Sequence, residues 1–144
     1  MHNPAAEAQR WWEQALDDRA FVQAMAQEGR FFDKACFTAQ QAAEKALKAC
    51  LYAEGRREVI GRALLEFVRD LAQRHPEFAA CGAPAARLDR HYIPTRYPNG
   101  LPGGSPFQSY SAGDLASALA DLEALIAAAQ RFLRSRGVAP APPE

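Results

Sequence analysis

The sequence predicts an all-α protein, an up-and-down bundle of four long helices with a short fifth helix and a long Gly/Pro-rich loop. Small and apolar residues recur at alternating spacings of four and three, the period of one helix face. No alternating apolar and polar run is long enough for a useful strand. Glycine and proline fall between the periodic segments and concentrate from Pro94 to Pro106.

The first helix is expected from Ala5 to about Gln27, with Pro4 at a tolerated entry position and Trp12, Ala15, Leu16, Val22 and Met25 facing inward. Trp11 and Trp12 are adjacent and so point to different sides, one into the core and the other toward a dimer or partner surface. Gly29 separates this helix from a second one with no Gly or Pro between Phe31 and Glu54. The second helix turns a narrow, mostly alanine face inward through Phe32, Cys36, Ala39, Ala43, Ala46 and Cys50. Side chains this small let neighbouring helices approach closely, and the pair should form an antiparallel hairpin. Gly55 suits the left-handed residue that ends a helix. On the opposite side Gln40, Gln41, Glu44, Lys45 and Lys48 read as a solvated face. Glu44 precedes Lys48 by four residues, the favourable order for an exposed ion pair worth about 0.3 to 0.5 kcal/mol.

A third helix is expected from Val59 to about Arg74, burying Leu64, Leu65, Val68, Leu71 and Ala72 and stopping ahead of Pro76. A short helical stretch covers Ala85 to Tyr92, and the Gly/Pro-rich loop runs from Pro94 to Pro106. Ser111 and Asp114 resemble a capping box that opens the last helix. Leu115, Leu119, Leu122, Leu125, Ile126, Ala129, Phe132 and Leu133 then hold one face up to Gly137. Residues 1–137 make a single bundle domain, and residues 138–144 are expected to be a disordered tail.

A chain of 144 residues with 49% hydrophobic content has the size and composition of one domain with its own core. Seventeen basic residues balance seventeen acidic ones, so any nucleic-acid contact has to come from a local patch. The longest uncharged apolar stretch, Ala124 to Ala129, is too short to cross a bilayer, and the N-terminus lacks the apolar core of a signal peptide. A cytoplasmic location is expected. Cys36 and Cys50 lie about 21 Å apart along one helix, beyond disulfide reach, and with Cys81 read as reduced thiols. His2, His75 and His91 show no ligand spacing, there is no phosphate-cradling glycine loop and no nucleophile triad, and neither metal nor cofactor is expected.

Several of these segments together resemble the HEPN domain family. The matching residues are Trp12 with Ala15, Leu16, Asp17 and Asp18, the stretch from Gly29 to Gly55 containing QQAAEKALK, Leu88 and Asp89 followed by YIPTRYPNGLP, and the closing amphipathic helix. QQAAEKALK and YIPTRYP in this order make the resemblance specific, and it covers nearly the whole chain. It implies a helical bundle, commonly a homodimer, of the prokaryotic type that pairs with a small nucleotidyltransferase, in arrangements that can act as toxin and antitoxin. It also implies either nucleotide binding or metal-independent ribonuclease activity through an Arg-x4-6-His motif. That motif is not intact here: Arg87 and His91 have only three residues between them, no His follows Arg96, and Arg62 stands where relatives often carry a His.

Arg96 in YIPTRYP is the leading candidate for ligand binding. Its guanidinium is a planar fork of donors suited to phosphate, while Tyr92 and Tyr97 offer flat rings for a base and Pro94 and Pro98 restrict the backbone around them. Alternatively Arg96 pairs with Asp17, Asp18 or Glu44 and ties the loop to the bundle; these residues and Lys48 are the supporting set. Arg87 and His91 are the catalytic candidates, since a histidine titrates near neutral pH. The expected function is therefore a nucleotide- or RNA-binding protein that works with a nucleotidyltransferase. The alternatives are a ribonuclease toxin using Arg and His91, or a purely protein-docking module.

Overall fold

The computed structural model describes residues 2–138. Six α-helices form among them: α1 Pro4–Glu28, α2 Phe32–Ala53, α3 Leu64–Ala72, α4 Gly82–Asp89, α5 Pro106–Ser109 and α6 Ala112–Ser135. Single 3₁₀ turns occupy Pro76–Phe78 and Pro98–Gly100, and no strand occurs among the described residues.

Local chemistry sets the ends of α1. The Asn3 side chain accepts the Ala6 N–H at 3.1 Å, Pro4 fills the first helical position, and Gly29 closes the helix at φ 72° with its N–H donated to Met25 O. Phe31 follows at φ 55°, the only non-glycine residue in the left-handed region among those described. The chain then reverses into α2. Trp11 stacks on Tyr52 while Asp18 pairs with Lys45, so residue numbers run in opposite directions along the hairpin.

α2 is the central helix, with α1 on one side and α6 on another. Ala39, Ala43 and Ala46 are fully buried there, as the alanine periodicity predicts, because only small side chains allow both neighbours close approach. Arg19 of α1 forks onto Glu123 of α6 with two 2.6 Å hydrogen bonds. α6 opens with the predicted box: Asp114 accepts the Ser111 N–H at 2.8 Å, and the Ser111 hydroxyl accepts the Asp114 N–H at 3.3 Å. Of its predicted inner set only Leu119 stays at the rim, and Ala118, Asp121 and Ala128 are buried as well.

The third helix differs from expectation. It begins at Leu64 rather than Val59, and the bundle has three long helices with α3 and α4 as short ones. Gly55 and Gly61 take φ values of 102° and 103°, and the Val59 N–H is held by the Tyr52 hydroxyl, so residues 54–63 form a non-helical strap. Helix starts where a cap is available. The Asp89 carboxylate accepts the Leu64 N–H at 2.8 Å and the Leu65 N–H at 3.1 Å, from the far end of α4. Phe67 is buried on α3 whereas Ala72 is exposed. α4 likewise sits earlier than expected, and Arg90–Arg96 are turns.

The polar side of α2 is not a solvated face. Gln40 is fully buried and Lys48 is 8% exposed, because the 54–63 strap and Tyr92 cover them. Gln40 donates to Arg62 O at 3.2 Å and accepts from Gln41 at 2.7 Å, so its burial leaves no orphaned polar atom.

Val138 is buried and its N–H donates to Leu133 O at 2.8 Å; the remainder of the expected tail, residues 139–144, lies outside the described residues. No described helix is long and apolar enough to cross a membrane. All three cysteines are buried and free.

Candidate functional site

YIPTRYP leaves α4 as a compact turn stitched to itself. Thr95, buried, donates its hydroxyl to His91 O, and the N–H groups of Arg96 and Tyr97 both reach Ile93 O, at 3.0 and 3.1 Å. Gly100 folds back so closely that a Cβ there would meet Ile93 Cγ2 and Pro94 Cα at 3.1 Å. Backbone packing therefore fixes the loop before any ligand arrives.

This scaffold presents Arg96 to a set of aromatic rings. Its guanidinium carbon lies 4.4 Å from the centroid of Tyr92, 4.5 Å from Phe37 on α2 and 5.1 Å from Tyr97, and its Nε donates to Tyr92 O at 2.9 Å. Arg62, from the strap, reaches the same ring at 4.8 Å and donates to the Tyr92 hydroxyl. Among the described residues neither arginine pairs with a carboxylate. The expected alternative partners are engaged elsewhere: Asp18 with Lys45, and Glu44 with Lys48 at 3.2 Å, while Asp17 is exposed. Two guanidiniums thus share one tyrosine, and neither is ion-paired. Tyr92 is clasped by both, and Tyr97, 49% exposed, is the more open ring.

A cavity of about 360 Å³ opens beside the pair, lined by α2 residues Gln41, Glu44 and Lys48, by the strap from Val59 to Arg62, and by Tyr92. Its size matches the lower end of small-molecule sites. Lys48 lies over both the Trp11 and Phe67 rings, at 5.5 and 5.9 Å, and so adds an anchored cation at the floor. Of the residues singled out from sequence, Tyr92, Glu44 and Lys48 line this cavity; Arg96 packs on the Tyr92 ring and Tyr97 on Arg96 without lining it, and Asp17 and Asp18 do not line it either. Phe37 and Arg62 complete the cluster. Phe37 does not stand out in sequence, and Arg62 is marked there only as a departure from the ribonuclease pattern, not as a ligand-binding residue.

Arg87 and His91 belong to a different cluster. Arg87 forks onto Asp121 of α6, Nε to Oδ2 at 3.0 Å and Nη2 to Oδ1 at 2.8 Å, which commits it to holding α4 on α6. His91 lies 3.4 Å from the Tyr110 hydroxyl through Nδ1. Burial lowers its pKa, against the pull of Asp114 and Asp121. Tyr110 is pushed up to about 12 by burial, with Cys36, Asp114 and Asp33 adding to the effect. His91 thus faces the Tyr110 phenol, while Arg87 is engaged with Asp121.

The fold and the loop together match one family. The family model for the HEPN domain matches residues 8–135, and the chain belongs to that family. The structure is similar to that of TT1696 from Thermus thermophilus, with a TM-score of 0.81 and 33% identity over 88% of this chain and 98% of that one. It is similar to ST0689, an archaeal HEPN homologue, with a TM-score of 0.70 and 26% identity over 87% and 96% of the two chains. A HEPN domain protein from Thermotoga maritima superposes with a TM-score of 0.55 at 26% identity over 89% and 94%. Among curated proteins, no sequence matches the chain significantly.

Proposed function

We propose that this HEPN protein binds the phosphate of a nucleotide or RNA end between Arg62 and Arg96. The observation that carries the reading is the uncompensated guanidinium pair on Tyr92. Like charges held together repel, and an anion between them converts that repulsion into attraction. Tyr97 supplies a ring for the base, and the cavity over Lys48 accepts the rest of the ligand. The commitment of Arg87 to Asp121 supports binding over ribonuclease chemistry through Arg87 and His91.

Calorimetric titration with ATP and GTP tests it, run beside Arg96→Ala with helicity checked by circular dichroism. Saturable binding lost in the folded variant is expected; retained binding would remove Arg96 from the site.

We further infer from the family resemblance that the protein is a homodimer working with a small nucleotidyltransferase as a toxin and antitoxin pair. Light scattering of the purified chain, and co-purification with a nucleotidyltransferase encoded beside it, test these two assemblies. A monomer, or no complex, overturns the respective inference.

A further inference from the structure

Residues 56–60 of the strap lie between two glycines that hold a backbone conformation unfavourable to other residues, Gly55 at φ 102° and Gly61 at φ 103°. Both ends are tied to the bundle. The Gly55 N–H donates to Tyr52 O at 2.9 Å, and the Arg62 carbonyl accepts from the buried Gln40 at 3.2 Å. Between these fixed points the backbone makes one hydrogen bond to the bundle among the described residues, from the Val59 N–H to the Tyr52 hydroxyl at 3.3 Å. The Arg56 side chain adds an ion pair to Asp70 at 2.8 Å, partly exposed and therefore weak.

What lies beneath makes the segment a cover. Val59 and Ile60 form part of the wall of the cavity beside Arg62, and Glu44 and Lys48 line the same cavity, paired at 3.2 Å with side chains only 13% and 10% exposed. Opening the segment breaks few bonds, and the hydration of this charged pair offsets the lost packing of Val59. Ile60 has the opposite preference. It is 80% exposed, more than any other large apolar side chain among the described residues, and at the cavity rim it gains burial only when something occupies the cavity.

We propose that residues 56–60 form a hinged lid that swings about Gly55 and Gly61, opening to uncover Lys48 and Glu44 and closing Ile60 onto a ligand held by the arginine pair. Arg62 lies beyond the second hinge, so the lid moves while the guanidinium stays on Tyr92. What the lid closes on rests on the phosphate reading of that pair.

Limited trypsin digestion of the full chain, read by mass spectrometry, tests the motion. Cleavage after Arg56 and Arg57 should be at least about tenfold faster than after Lys45 in α2, because it needs only local opening. Gly55→Ala, whose added Cβ meets no atom within 4 Å, should speed strap cleavage about tenfold by straining the closed backbone. ATP at ten times its dissociation constant should slow cleavage after Arg56 and Arg57 about tenfold, although neither residue lines the cavity. Ile60→Ser should weaken ATP binding about tenfold by calorimetry and leave the melting temperature unchanged. Strap cleavage no faster than cleavage within α2 overturns the lid. ATP binding that leaves strap cleavage unaltered, or that Ile60→Ser does not weaken, also overturns it and leaves the arginine-pair site standing. No binding of ATP or GTP overturns both.

Discussion

Arg62 and Arg96 converge on a single ring, their guanidinium carbons 4.8 and 4.4 Å from the centroid of Tyr92, although the two residues belong to different connections of the bundle. Arg62→Ala should relieve repulsion without opening the core, so the melting temperature stays within about 2 °C of wild type. Nucleotide affinity should fall about 10- to 100-fold, the worth of a charge-assisted hydrogen bond. Added salt should stabilise the wild type more than the variant, because screening acts on a repulsion that only the wild type has. A large loss of melting temperature with unchanged affinity would make the pair structural.

Asp89 caps α3 from the end of α4 through the Leu64 and Leu65 N–H groups. Asp89→Ala leaves both donors without that acceptor and should cost about 1 to 2 kcal/mol, a drop of about 2 to 8 °C in melting temperature. Asp89→Asn keeps one side-chain oxygen and should cost less. Thermal unfolding of the three proteins ranks them; an unaltered alanine variant would show that water replaces the cap fully.

Gly100 has no room for a side chain, with Ile93 and Pro94 at 3.1 Å from where a Cβ would stand. Gly100→Ala should displace the 92–97 turn and cost about 1 to 3 kcal/mol. Affinity for nucleotide should drop as well, because Arg96 and Tyr97 ride on that turn. Calorimetric titration beside a melting curve reads both quantities, and an intact affinity would show that the turn relaxes without moving Arg96.

His91 has its pKa lowered by burial, in spite of Asp114 and Asp121. In the unfolded chain a histidine titrates near about 6.5. Above that value neither state binds the proton and the stability is fully present; as pH falls toward the lower folded value, the unfolded chain protonates first and stability is lost. Between about pH 7.5 and about pH 5.5 the wild-type melting temperature should therefore fall more steeply than that of His91→Gln. Parallel slopes would show His91 to be solvated in the folded protein.

The long helices α1, α2 and α6 are legible because their inner faces repeat at helical spacing and their ends carry Asn3 with Pro4, Gly29, and Ser111 with Asp114. The start of α3 is not, since Val59 continues the apolar pattern and the deciding cap, Asp89, lies 25 residues downstream of Leu64. Polarity misleads at Gln40. Glutamine signals solvent, yet this one is fully buried because Arg62 O and Gln41 satisfy its amide. For the site, Arg96, Tyr92 and Tyr97 are adjacent in one motif and readable together. Phe37 and Arg62 reach the same place only through the crossing of α2 and the strap beside the turn, a tertiary relation that local spacing does not encode.

Asp89 also lies only three residues ahead of Tyr92, so the carboxylate that holds the first amides of α3 is part of the same short chain segment that carries the arginine site. Those two amides open to solvent when that segment moves, which makes their deuterium uptake a built-in gauge of the loop. Ligand that immobilises Arg96 should slow exchange at Leu64 and Leu65, so occupancy on one side of the connection becomes visible as protection at the beginning of a helix that contacts no ligand.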